Sequence, residues 1–195
     1  VRQIAHKVSY TNMAKNYLVE QPKIDRRANN TQIKLYQALK KYYFEGIPFK
    51  KIQVKQLCQT AAVSRATFYR HHQNIQDIFT IQLLIMITQF EKKIDELQVL
   101  NYETGSNVVV NTIYANLDLL QLMQWSGTEK SGQKIVSGAI IRILILREFD
   151  DVNRNFIADY LGAAILKFAF QISQAQEKLP KEQALKLYRL LVPKV

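Results

Sequence analysis

With one cysteine, three histidines, six glycines and four prolines in 195 residues, the sequence is short of several residue types, and each shortage excludes something. The lone thiol, Cys58, closes no intramolecular disulfide, so nothing in the composition calls for an oxidising compartment. His6, His71 and His72 together with that thiol make no ligand set of zinc spacing, and no structural metal is expected. The longest apolar runs, such as Ile140 to Leu146, are interrupted by arginine and fall short of the roughly 20 residues of a membrane-spanning helix. The opening Val-Arg-Gln starts no continuous apolar core of the kind an export signal has. A cytoplasmic protein with no membrane partner and no cofactor is the expectation. Catalytic patterns are also missing. There is no phosphate-cradling glycine loop, no nucleophile with a nearby histidine and no clustered carboxylate pair, so an enzyme is not expected.

What the sequence has is positive charge, unevenly placed. The formal net charge is +11. Residues 1–75 carry 14 Lys+Arg against 3 Asp+Glu, whereas residues 76–195 carry 13 of each. A basic module joined to a neutral one is the electrostatic footprint of a nucleic-acid-binding domain attached to something else, although a binder of acidic lipid or acidic protein would carry the same excess.

Sparse turn residues and apolar side chains recurring every three or four positions predict an all-α chain. Residues 1–29 read as a basic extension with Lys23, Arg26 and Arg27 behind Pro22, either a DNA-reaching arm or a weakly ordered tail. A helix is expected from Asn30 or Thr31 to Glu45, with Ile33, Tyr36, Leu39 and Tyr43 facing inward and Gly46 ending it. Short helices follow over Val54–Thr60 and from Arg65 to about His72, the second capped by Ser64. Asn74 is placed to cap a longer helix running toward Leu97. Beyond Leu100 the pattern predicts long helices over 106–125, 130–149, 153–176 and 181–191. Two short runs, Val108–Val110 and Ile140–Leu146, are the only strand-like alternatives, and their flanks continue in helical phase.

The most specific signal runs from Phe49 to His72: Phe-Lys-Lys-Ile-Gln-Val-Lys-Gln-Leu-Cys-Gln-Thr-Ala-Ala-Val-Ser-Arg-Ala-Thr-Phe-Tyr-Arg-His-His. A short helix with Val54, Leu57 and Ala61 inward, a turn sealed by Val63 and a second helix anchored by Phe68 can hold two helices at a steep angle. The segment, and above all Val-Ser-Arg-Ala-Thr-Phe-Tyr-Arg-His, resembles the helix-turn-helix of the TetR family of transcriptional regulators. The resemblance covers residues 31–79 closely and the remainder in architecture alone. It implies an N-terminal three-helix DNA-binding domain over 30–76 and a helical ligand-binding and dimerisation domain over 77–195. It also implies a homodimeric repressor that binds a palindromic DNA operator and is released by a small-molecule effector. The alternative is a dimeric interaction protein that keeps the fold and has lost specific DNA binding.

In the resembled family the start of the second helix meets base edges, here Arg65, Ala66 and Thr67 with Arg70 nearby, while Tyr69 and His71 match phosphate contacts. The chemistry agrees: arginine pairs bidentately with guanine, Ala66 and Thr67 can meet a thymine methyl, and a tyrosine hydroxyl donates to phosphate. Packing against neighbouring helices is the plainer role for Tyr69 and His71. Three positions depart from the family pattern. Ala62 stands where glycine is usual, His72 where an aromatic is usual, and Ile75 where a lysine is usual.

In the second half, Ala158, Gly162, Ala163 and Ala169 recur among apolar neighbours including Ile165, and Leu187 and Leu191 line the last helix. By the resemblance these seven residues form a four-helix seam across a dimer axis; packing within one chain is the alternative. Arg142 lies in an apolar stretch and needs an acid such as Asp118 or Asp159, a route to water, or an anionic ligand. Tyr114, Met123, Trp125 and Phe168 are candidate pocket walls, with plain core as the competing reading.

Overall fold

The computed structural model describes residues 26–146 and 151–194. Among them the chain forms nine α-helices and one 3₁₀ turn, with no strand. The fold is all-α, and both strand-like runs are helical.

Helix α1 (Arg26–Phe44) begins ahead of the expected cap at Asn30 or Thr31. Tertiary contacts hold the added turn: Ala28 and Asn29 are half-buried and line one depression with Ile81 and Leu84, and the buried Gln32 donates its side-chain amide to the Ile78 carbonyl at 2.8 Å. The buried face is also rotated from the expected one. Leu35, Ala38 and Leu39 are buried, Tyr36 and Tyr43 are half-buried, and Ile33 is 47% exposed. Gly46, at φ +70°, ends the helix, its N–H bonding the Tyr43 carbonyl while Ile47 bonds that of Tyr42.

The turn at Phe49–Lys51 leads to α2 (Val54–Thr60), a four-residue turn over 61–64, and α3 (Arg65–His71). Helix α4 (Asp77–Asp95) follows, its start held by reciprocal bonds between Asn74 and Asp77. Ile78 and Phe79 of α4 join Leu35, Leu39, Leu57 and Phe68 in one buried cluster that continues into the second half of the chain. The N-terminal helices α1–α3 and the helices behind them therefore share a core.

The expected helix over 106–125 is two helices. Helix α5 (Tyr102–Ala115) starts earlier because Asn101 and Thr104 cap it reciprocally, each side chain bonding the other's backbone N–H. It ends where Asn116 turns its side chain back onto the Thr112 carbonyl at 2.8 Å, and α6 (Leu117–Ser126) begins at the next residue. Helices α7 (Glu129–Leu146), α8 (Asp151–Gln174) and α9 (Lys181–Leu191) complete the body. Part of α8, Val152–Gln174, is long and apolar enough by length and composition to cross a membrane, unlike the shorter apolar runs that stand out in the sequence. Its apolar side chains Leu161, Leu166, Phe168, Ala169 and Phe170 are instead buried inside the bundle.

Candidate nucleic-acid interface and inner cavity

Helices α2 and α3 are too short to be stable alone, so their geometry depends on anchors. Leu57 and Cys58 bury one side of α2, and the fully buried Phe68 ring anchors α3. Burial raises the Cys58 thiol pKa, and the nearby Arg65 charge partly offsets this, so the residue is a packing group. The turn between the helices closes through the Val63 N–H on the Cys58 carbonyl at 2.9 Å. Ala62, in the position expected for glycine, adopts φ +51°. The left-handed conformation is kept without the residue that favours it, at a strain cost of about 1 kcal/mol.

Ser64 caps α3 by accepting from the Thr67 N–H at 3.0 Å, and the two hydroxyls lie 2.8 Å apart. Thr67 is half-buried and its hydroxyl belongs to the cap. Its neighbours are free to face outward: Arg65, Ala66, Tyr69, Arg70 and His71 are all exposed, with the Arg65 guanidinium 5.9 Å from the centre of the Tyr69 ring. Two charges and a phenol thus stand on a helix face whose opposite side is pinned by Phe68. Exposed Lys50, Lys51 and Lys55 add positive charge just before it in the chain. Of the three basic residues in the extension, Lys23 lies outside the described residues, while Arg26 and Arg27 fall in the first turn of α1.

The other two departures also have structural consequences. His72 fills the aromatic position, buried and 5.3 Å from the Phe68 ring, with neither ring nitrogen hydrogen-bonded. Burial pushes its pKa down to about 4. Ile75 is half-buried against the core and offers nothing to a phosphate.

Behind this module, α4, α5, α6, α7 and α8 enclose a cavity of about 220 Å³. Met86, Ile87 and Phe90 line it from α4, Leu120 from α6, and Ile140 and Leu166 from α7 and α8. A second depression shares Phe90, Val109, Ile143, Leu161 and Ile165 with it and reaches Tyr102 and Pro193 near the end of the chain.

None of the five side chains expected at a ligand lines this cavity. Arg142 bonds Glu91 of α4 at 2.8 Å, not the expected Asp118 or Asp159, and burial holds the Glu91 carboxyl above its ordinary range despite that arginine. Tyr114 donates to the Leu179 carbonyl, and Phe168 meets Tyr188 edge to face at 5.5 Å. Met123 is buried in the core, where Gly132 leaves room for its methyl group. Trp125 sits among Tyr43, Phe49 and Phe79, with centroids 5.2 to 6.4 Å away, at the seam between the two halves. The cavity walls are apolar residues that look like any other core residues in the sequence, and no local signal marks them out.

No protein-family model matches the chain, and no curated protein matches it. Among solved structures it is similar to Lin0861 from Listeria innocua, known from its crystal structure: 34% identity over 86% of this chain and 92% of that one, with a TM-score of 0.80. The chain belongs to the family of Lin0861. The similarity spans nearly the whole Listeria chain, so it takes in both the α1–α3 module and the helices behind it.

The seam expected on the last helices is divided. Ala158 is fully buried, and Ile165 and Ala169 line the cavity. Gly162 faces Ser137 of α7, where a Cβ would lie 2.5 Å from the serine hydroxyl oxygen. These small residues serve helix packing within the chain. Ala163 is half-buried, while Leu187 and Leu191 are exposed. Val152, Phe156 and Tyr160, at four-residue spacing on α8, are also 59–84% exposed, and Leu190 on α9 is 79% exposed, none of them singled out by the sequence pattern.

Proposed function

We propose that the chain is a TetR-type transcriptional repressor, a cytoplasmic homodimer that binds a palindromic DNA operator through α3 and leaves it when a small molecule enters the inner cavity. The observation that carries the reading is α3 itself. It presents Arg65, Ala66, Tyr69 and Arg70 to solvent over a buried Phe68 anchor, in the part of the chain that holds all the excess positive charge. Arg65 and Arg70 read bases, Ala66 meets a thymine methyl, and Tyr69 and His71 hold phosphates, as do the basic residues Lys23, Arg26 and Arg27 ahead of α1 and in its first turn. Thr67 contributes through the cap that fixes the start of the helix.

The exposed apolar residues of α8 and α9 supply the twofold contact. An isologous pairing of Phe156, Tyr160, Leu187, Leu190 and Leu191 removes from water side chains that a lone chain leaves exposed. The cavity lies where it can move the reader. Helix α4 lines it and also carries Ile78 and Phe79 into the core beneath α3, while α6 lines it through Leu120 and meets the reader through Trp125. A ligand that prefers one arrangement of these two helices changes the spacing of the two α3 helices, and coupling of about 1–3 kcal/mol is enough. Selection of duplexes from a random pool by the full chain tests the reading, because only a sequence-specific reader enriches a palindrome under competition.

A further inference from the structure

Sixteen side chains line the inner cavity, and Thr112 alone among them carries a polar atom. Thr112 is 6% exposed, and its hydroxyl has no hydrogen-bond partner. A helical threonine commonly returns its hydroxyl to a carbonyl one turn back, and this one does not. It is left unsatisfied among otherwise apolar side chains, an arrangement that native proteins largely avoid. Among the described residues no charged side chain lines the cavity. The nearby Arg142 and Glu91 bond each other, and an ion entering the cavity would meet no counter-charge there.

We infer that the cavity binds a neutral, mainly apolar molecule of about ten heavy atoms that carries one uncharged oxygen, hydrogen-bonded to the Thr112 hydroxyl. The inference rests on the proposed function in treating the cavity as the effector site. The size follows from the volume, since a cavity of about 150 Å³ holds benzene and this one is somewhat larger. The hydroxyl can donate or accept, so alcohols, phenols, ketones and esters fall within the class, whereas carboxylates and amines fall outside it. The adjoining depression toward Tyr102 and Pro193 leaves room for a longer tail.

Titration calorimetry on the full chain near neutral pH, with para-propylphenol, propylbenzene and para-propylbenzoate, tests this class. These probes share one body and differ in the polar group. The phenol should bind about tenfold more tightly than propylbenzene, and the benzoate at least tenfold more weakly than the phenol. In Thr112→Val, which keeps the side-chain shape, the phenol should lose about tenfold and propylbenzene should lose nothing; Thr112→Ser should keep the wild-type ratio. The wild-type ratios decide the matter even if a variant fails to fold. Equal binding of phenol and propylbenzene, tightest binding of the benzoate, an unchanged ratio in a folded Thr112→Val protein, or no binding of any probe would each overturn the inference. No DNA is present in these titrations, so they can fail while operator binding stands, and a probe that binds without altering DNA affinity would sink the sensing reading alone.

Discussion

The indole N–H of Trp125 donates to the backbone carbonyl of Ile47 at 3.1 Å, tying α6 to the loop that precedes α2. Five residues earlier on the same helix, Leu120 lines the inner cavity. One short helix therefore touches both the N-terminal module and the inner cavity. Lys40 of α1 also pairs with Asp118 of α6, and Gln76 donates to the Ser126 carbonyl at 3.2 Å, so both ends of the helix are fastened to the N-terminal module.

Replacing Trp125 with phenylalanine keeps an aromatic ring in the cluster and removes that hydrogen bond. Stability should fall by about 1 kcal/mol. Binding of para-propylphenol should be unchanged, while its effect on DNA affinity shrinks. Anisotropy of a labelled duplex with and without the phenol reads this, and an undiminished effect would remove α6 from the coupling route.

Gly162 and Phe156 lie on one helix and should behave oppositely. Gly162→Ala pushes a methyl into Ser137, so urea unfolding should show a loss of about 1–3 kcal/mol with self-association unaffected. Phe156→Glu and Leu190→Glu place charge on side chains that are 77% and 79% exposed, so each folded chain should remain as stable while the dimer dissociates at micromolar concentration. Sedimentation equilibrium separates the two outcomes.

His72 makes the module acid-sensitive. Its pKa falls from 6.5 in the unfolded chain to about 4 in the fold, because the buried ring resists charging; His71 lowers it further and Asp77 acts against the shift. Between those values the unfolded chain binds a proton that the folded chain does not. Stability is therefore full above pH 6.5 and declines as pH falls toward 4, by about 3 kcal/mol over the window. His72→Phe restores a plain aromatic ring beside Phe68 and should remove most of this dependence. Parallel pH slopes for the two proteins in urea unfolding would show that the imidazole is not responsible.

Ala62→Gly should stabilise the fold by about 1 kcal/mol, because φ +51° costs alanine strain that glycine lacks. A higher urea midpoint with an unchanged slope is the expected signature.

The parts of this fold that were readable in advance are those with a local signal. Ser64 three residues before Thr67, Phe68 between exposed neighbours, and the breaks at Gly46 and Pro180 give α2, α3 and α9 nearly to the residue. The extra first turn of α1 packs toward α4, where Ala28 and Asn29 share a depression with Ile81 and Leu84, a contact with no local trace. The split at Asn116 depends on one side chain folding back onto its own helix, which an uninterrupted apolar pattern hides. The same limit applies to the sites. The outward face of α3 follows from helical spacing around one anchor, whereas the cavity is made mostly by apolar residues from five helices that individually read as core. The small residues of α8 suggested a close helix contact, and Gly162 makes one, with α7 of its own chain. The exposed Phe156 and Tyr160 were the better guide to an outer face.

The most direct test of the central claim is binding-site selection from a random duplex pool, with wild-type protein and Arg65→Ala side by side, followed by anisotropy on the selected and a scrambled duplex at several salt concentrations. The account predicts that the wild type enriches a palindrome with half-sites about one helical turn apart. On that site Arg65→Ala should lose about 1–3 kcal/mol while its weak binding to scrambled DNA hardly changes. No enrichment by a folded, dimeric wild type at low salt would contradict the account and leave the protein as a dimeric interaction module without a DNA target.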